Sequence, residues 1–220
     1  MRSPVAREGH PFIAAAGLPA MTLLIVALLL DSTLAWILAL SAVALSVAVA
    51  AFFRDPNRQG PRGRELVVAP ADGKVIDVGL TDEPTYIGGR ALRISIFLSL
   101  FDVHVNRYPV SGEVKHRSYH PGRFEPAWRQ SACNSNERAS TGIDGESFPV
   151  LVRQVAGLVA RRIVTYASLG DRVQQGDRMG LIRFGSRVDV YLPPTAVADV
   201  QVGQRALGGL TVLAHLREDG

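Results

Sequence analysis

"LGDRVQQGDRMGLIRFGSRVDVYLP", Leu169–Pro193, is the stretch on which the reading of this chain turns. Two glycine turns enclose a short extended run, a second apolar run follows, and Arg187–Leu192 alternates before Pro193 stops it. Period-two alternation bounded by glycine and proline marks strands joined by tight turns rather than a helix. The pair Gly185–Ser186 stands at the entrance of the last strand. A β-turn accounts for it most simply, since glycine reaches unusual φ and serine bonds locally to the backbone. The alternative is that this peptide bond is itself the reactive object.

Working outward, short apolar runs punctuated by turn residues predict strands at Leu66–Ala69, Lys74–Val78, Leu92–Leu98, Gly112–Ser118, Ser147–Val155, Arg187–Leu192 and Leu210–Leu216. Leu158–Tyr166 fits a strand or a short helix. Many short strands with Gly and Pro turns read as a mainly β barrel or sandwich. "PADGKV" at Pro70–Val75 and "PVSGEV" at Pro109–Val114 share P-x-x-G-x-V, a turn that delivers the chain into a strand. The glycine pattern of Leu169–Ile182 resembles the hairpin elements of lipoyl- and biotinyl-type domains.

The other end of the chain has a different composition. Pro11–Leu30 and Thr33–Phe53 carry no charge, and only Asp31 and Ser32 separate them. Each approaches the roughly 20 apolar residues that cross a bilayer as a helix, so the pair reads as an α-helical transmembrane hairpin. A signal peptide would show one shorter apolar region before a small-residue cleavage site. Arg2 and Arg7 precede the hairpin, and Arg54, Arg58, Arg62 and Arg64 follow it, which puts both ends on the cytoplasmic side of the cell membrane. The chain thus divides into an anchor at 1–53, a Pro/Gly-rich linker at 54–65 and a cytoplasmic domain at 66–220.

The net charge of +4 over 220 residues suits anionic lipid headgroups. No aromatic–basic interleaving or recognition-helix pattern points to nucleic acid. The single cysteine, Cys133, excludes an intrachain disulfide and fits a reducing compartment. It reads as a small buried residue, a surface thiol or a nucleophile.

A serine hydroxyl is a poor nucleophile without a base in reach. His10 lies at the membrane end, His116 and His120 in "VKHRSYHPG", and His215 near the C-terminus. His104, in "SLFDVHVNRYP", is the best placed, just after an apolar strand and in alternation with Asp102 and Asn106. The acid that would orient it is Asp72 or Asp102, although Asp72–Gly73 is also a common turn pair. No metal site is expected: H-E-x-x-H is absent, and one cysteine builds no structural zinc site. A serine hydrolase would place its nucleophile in G-x-S-x-G, which is also absent. A membrane-anchored lipoyl-like adaptor or carrier would carry lysine at a hairpin tip. The only lysines, Lys74 and Lys115, lie outside the glycine hairpin.

Taken in order, "FFRDPNR" (52–58), "APADGKV" (69–75), "FLSLFDVHVNRYPVSGEV" (97–114), "NER" (136–138), "VRQVAGLVARRIV" (152–164) and the opening stretch resemble phosphatidylserine decarboxylase proenzymes of the short, membrane-anchored type. The resemblance runs from about Phe52 to Leu216. It implies that Ser186 Oγ attacks the Gly185 carbonyl, and that elimination from the resulting ester leaves dehydroalanine, which loses ammonia to become an N-terminal pyruvoyl group. The products are a β chain, Met1–Gly185, and an α chain, Ser186–Gly220, held as a heterodimer with room for a higher oligomer.

By the same resemblance His104 is the base and Asp72 its carboxylate partner. The pyruvoyl forms a Schiff base with phosphatidylserine, carbon dioxide leaves, and phosphatidylethanolamine is released. Arg123, Arg138 and Arg153 are candidates to hold the lipid phosphate or the serine carboxylate. Longer relatives carry a second histidine where this chain has Arg107. Archaetidylserine, with the same headgroup, is the alternative lipid.

Overall fold

A computed structural model describes residues 3–128, 135–158, 162–183 and 185–216. The chain forms two compact units, Met1–Asn57 and Arg58–Gly220.

In the first unit a 3-10 turn (Arg7–Gly9) leads into α1 (His10–Leu30), and α2 (Thr33–Phe52) returns antiparallel to it. The reversal is made at Asp31, whose φ of +43° is left-handed and whose N–H caps Ala27 O at 3.0 Å. Both helices are long and apolar enough to cross a membrane. Their contact buries Ala20, Ala27 and Ala39, small residues that allow close backbone approach. Ala6 N–H donates to Phe53 O at 2.9 Å and Asp55 N–H to Pro4 O at 2.7 Å, tying the two ends of the hairpin together.

The second unit is mainly β. Its strands are β1 (Leu66–Val68), β2 (Gly73–Glu83), β3 (Gly89–Leu98), β4 (Val105–Arg107), β5 (Gly112–His120), β6 (Arg138–Gly145) and β7 (Pro149–Ala156). There follow β8 (Ile163–Thr165), β9 (Arg172–Val173), β10 (Arg178–Ile182), β11 (Ser186–Leu192), β12 (Ala196–Ala198), β13 (Arg205–Ala206) and β14 (Val212–Leu216). An antiparallel eight-stranded sheet, β13-β2-β3-β11-β7-β6-β5-β9, is joined by two three-stranded sheets, β1-β14-β12 and β4-β10-β8. The apolar residues that alternate along the long strands, among them Ile94, Ile96, Val150, Val152, Val188 and Val190, meet Val67, Met179 and Leu213 in one core.

These sheets are two copies of one seven-stranded unit. β4–β10 form one copy without interruption, while β1–β3 and β11–β14 form the other. The registers coincide: Leu66↔His215, Val67↔Ala214 and Val68↔Val212 in one copy match Val105↔Leu181, Asn106↔Gly180 and Arg107↔Arg178 in the other, each with a bulge at the same step. Both long hairpins carry a bulge after the shared turn, at Val75/Asp77 and at Val114/His116. P-x-x-G-x-V is the sequence trace of this repeat. A second trace, G-x-R-x-x-x-G at Gly203–Gly209 and Gly170–Gly176, becomes recognisable only once the strands are paired, and all four of its glycines have positive φ. One copy is therefore inserted into the other, through the joins 98–105 and 182–186.

Two sequence readings are refined. The segment read as linker is docked from Arg58 onward, because Arg58 pairs with Asp72 and Gly63 N–H donates to Gln175 Oε1 at 3.0 Å. β6 has no apolar alternation to announce it ("RASTGIDG") and exists because β5 and β7 both satisfy its backbone. Of Leu158–Tyr166, Ile163–Thr165 is strand, and residues 159–161 lie outside the described residues.

Candidate active site at the joins between the repeats

Both joins end at the same place. Ser186 opens β11, paired with Leu98 of β3 on one side and Ala156 of β7 on the other. On the second join, Ile182 N–H donates to His104 O at 3.4 Å. The segment carrying His104 and the segment carrying Gly185–Ser186 are thus held side by side at each end. Both His104 and Ser186 are fully shielded from solvent.

Gly185 has φ of +62°, a left-handed conformation that glycine adopts without steric cost. Its carbonyl lies hard against Gly157, where an added Cβ would come within 2.0 Å of Gly185 O. The Ser186 hydroxyl, fully buried, has no hydrogen-bond partner among the described residues.

His104 Nδ1 lies 2.9 Å from Asp102 O. A carbonyl only accepts, so Nδ1 carries the proton and the lone pair of the neutral ring is on Nε2. The Asp102 carboxylate holds the turn that presents this carbonyl: Oδ2 accepts from Ser99 N–H at 2.8 Å and Ser99 Oγ at 2.7 Å, and Oδ1 pairs with Arg205. Asp102 therefore orients the imidazole through its main chain.

Asp72 is held elsewhere. Its carboxylate accepts from Arg58 Nη1 at 2.5 Å and Nη2 at 2.8 Å, and from Gly208 N–H at 2.8 Å. The other repeat has Ser111 at this position, accepting from Gln175 N–H at 3.0 Å. Capping this turn is a structural duty common to both repeats; only the Arg58 clamp is peculiar to Asp72.

A protein-family model for phosphatidylserine decarboxylase matches residues 45–214. The chain belongs to the phosphatidylserine decarboxylase family. A Symbiobacterium thermophilum protein named phosphatidylserine decarboxylase proenzyme is 49% identical over 219 residues, covering 98% of each chain. A Mycobacterium leprae protein of the same name is 48% identical over 217 residues, 97% of this chain and 89% of the relative. A Geobacter sulfurreducens proenzyme is 44% identical over 215 residues, 97% of each. Membership makes the chain an enzyme of the carboxy-lyase class.

Other residues of this phosphatidylserine decarboxylase family member follow from the same frame. Asn136, of the "NER" motif, donates Nδ2 to Ala156 O at 2.8 Å and so fixes the strand end that faces Ser186. Arg138 donates to Asn136 O at 3.5 Å, and Arg123, exposed at its side chain, forms a backbone bridge with Asn136. Arg153 is committed to the fold: it meets Glu83 at 3.2 Å and Tyr191 Oη at 2.9 Å, with its guanidinium 4.8 Å from the Tyr191 ring centre. Arg107, where longer relatives were expected to carry histidine, is buried and donates to Gly176 O at 2.9 Å. Arg187, directly after the Gly185–Ser186 pair, is buried against Asp189 at 2.5 Å and Ser95 Oγ at 2.9 Å, anchoring β11. Asn136, Arg58 and Gly157 lie in the motifs "NER", "FFRDPNR" and "VRQVAGLVARRIV", but no local pattern assigned them a role, because each acts on a partner distant in the chain. Phe184 and Cys133 lie outside the described residues.

Proposed function

We propose that this chain decarboxylates phosphatidylserine to phosphatidylethanolamine, after cutting its own backbone between Gly185 and Ser186 to leave a pyruvoyl group at Ser186. The observation that carries the reading is the Ser186 hydroxyl, buried without a partner beside a left-handed glycine and on the join that adjoins His104. A buried polar atom with no partner is costly and calls for a reason. Here it has the position and the chemistry of the nucleophile.

In the maturation step Ser186 Oγ forms a bond to the Gly185 carbonyl carbon, the C–N bond breaks, and the Ser186 nitrogen takes up a proton. His104 Nε2 is the base that receives the hydroxyl proton. Elimination then removes the Cα proton of residue 186 and expels the Gly185 carboxylate. Water replaces the nitrogen, ammonia leaves, and a ketone remains.

The residues fit that group. The strand start is dry, and β3 and β7, both from the longer product, flank β11 of the shorter one, so the two chains stay associated. When formed, the ketone supplies an electron sink for the pair left behind as carbon dioxide departs. In turnover His104 holds the proton returned to the substrate carbon, its tautomer set by Asp102 O. The N-terminal helices keep this chemistry at the membrane's cytoplasmic face, where the substrate lipid is concentrated.

Denaturing mass spectrometry of the expressed protein tests the reading. Two chains divided between Gly185 and Ser186, the smaller blocked at its N-terminus, are expected, and Ser186→Ala should remain whole and inactive. An active protein that is one unbroken chain overturns the proposal.

A further inference from the structure

The two repeats provide an internal comparison. Register by register, Asn106, Gln154 and Thr165 of one repeat stand where the other has Val67, Leu192 and Ala198. Val67 and Leu192 belong to the apolar core, with Ala198 packed on it. The polar set is buried as deeply: Asn106 and Gln154 have no exposed surface. Gln154 Nε2 donates to Asn106 Oδ1 at 2.7 Å, and Thr165 Oγ1 donates to Gln154 Oε1 at 3.3 Å. The chain of bonds stops at Asn106 Nδ2, which has no acceptor among the described residues. The same fold is satisfied by hydrocarbon at all three places, so the amides do not serve packing. A donor buried without an acceptor destabilises the fold unless a ligand completes it.

The polar chain opens on a cavity. Thr165 is in the wall of a recess of about 470 Å³ that is also lined by Arg117, Tyr119, Ser140 and Arg162. Arg117 and Tyr119 replace Val78 and Leu80 of the other repeat. Neither Arg117 nor Arg162 forms an ion pair among the described residues, and Arg162 O accepts from Arg183 N–H at 3.4 Å, just upstream of Gly185. At the inner end, Asn106 follows His104 by two residues. Gln154 precedes Ala156, the partner of Ser186, by two, and residues so spaced along a strand share a face. The amides therefore extend from the recess toward Ser186.

We infer that this recess and its polar chain are the headgroup subsite for a serine phospholipid. Arg117 and Arg162 take the phosphodiester, and Asn106 Nδ2 donates to the serine carboxylate. The division suits the chemistry. Guanidinium groups match phosphate in charge and in donor geometry. A neutral amide orients the carboxylate and stabilises its charge, which must vanish in the transition state, less than a cation would. The inference rests on the decarboxylase reading above and deepens it.

The test replaces the polar set with its counterparts: Asn106→Val, Gln154→Leu and Thr165→Ala together in the full chain. Self-cleavage should be as in the parent and the thermal midpoint at or above it, while kcat/KM for a soluble short-chain phosphatidylserine falls about a hundredfold. Parent-like turnover in a normally split variant overturns the subsite and leaves the decarboxylase reading standing. Failure to split in a folded variant assigns the amides to maturation and also overturns it. A parent protein that neither splits nor decarboxylates removes the decarboxylase reading itself, and the inference with it. Should the triple variant not fold, the exposed pair Arg117→Gln/Arg162→Gln decides. Its KM should rise about tenfold with kcat little changed, the loss of a charge-assisted contact, and an unchanged KM sinks the assignment.

Discussion

Leu98 and Ser186 are direct cross-strand partners, although seven strands, β4–β10, separate them in the chain. Without the inserted repeat they would close a hairpin, as Gly145 and Phe148 do in the other copy, where Gly145 N–H meets Phe148 O at 3.1 Å. The insertion opens that hairpin and leaves two free connections. One carries His104; the other carries Gly185–Ser186.

The Gly157 contact sets where the Gly185 carbonyl lies. A methyl group there would overlap the carbonyl oxygen, at 2.0 Å, and the bond proposed to be cut would have to shift. Misplacement by about 1 Å can cost about a hundredfold in rate. Gly157→Ala is expected to slow chain splitting by that order, followed by intact mass over time. Gly79→Ala, where an added Cβ meets nothing within 4 Å, should split at the parent rate.

Arg58 and Asp72 are both largely buried, at 10% and 6% side-chain exposure. Removing one partner leaves a buried charge uncompensated, at about 3–5 kcal/mol. Arg58→Met and Asp72→Ala should each destabilise by that order, and the double variant by clearly less than their sum. A double-mutant cycle by chemical denaturation measures it.

Glu83 anchors Arg153 and accepts from the backbone N–H groups of Tyr86 and Ile87 at 2.9 and 3.0 Å. Burial pushes its carboxyl up, but the Thr85 hydroxyl, these N–H groups and Arg153 outweigh burial and hold it below the usual carboxylate range. Its folded pKa is lower than its unfolded one. Its contribution is therefore present above the ordinary carboxylate pKa and is lost as pH falls through the folded value. Glu83→Gln should lower stability at neutral pH and flatten the acid limb of the stability curve, read from thermal midpoints across pH 3–7, a range set by carboxylate pKa values of about 4.

The anchor predicts a contrast between substrates. Deleting residues 1–53 should reduce turnover of phosphatidylserine in bilayers at least about tenfold, since the local concentration of substrate is lost. Turnover of a short-chain soluble analogue should change little. Equal losses on both would remove the anchor's proposed role.

Much of the fold was legible because its signals are local. Alternation marked the long strands, charge-free runs marked both helices, and P-x-x-G-x-V marked the two turns that start β2 and β5. Of the two- and three-residue strands, β1 was legible as Leu66–Ala69 and β8 lay in a segment read as strand or helix; β4, β9, β12 and β13 were not legible, being shorter than any period. Nor was β6, whose small polar residues are held by neighbours on both sides.

For the site, the amino-acid order singled out Gly185–Ser186 and His104 as candidates, since a Gly-Ser pair at a strand entrance and a histidine after an apolar strand are short-range patterns, and the family resemblance supplied their proposed roles. The order also placed Asp72 in a turn. Tertiary structure decided the rest: that Asp102, through its carbonyl, sets the imidazole tautomer, that Asp72 is clamped by Arg58, and that Arg153 is tied up with Glu83. It alone aligned Asn106, Gln154 and Thr165 with three hydrocarbon counterparts. Hydrogen bonds and packing join residues far apart in the chain, and a nested repeat becomes visible only when its strands are paired.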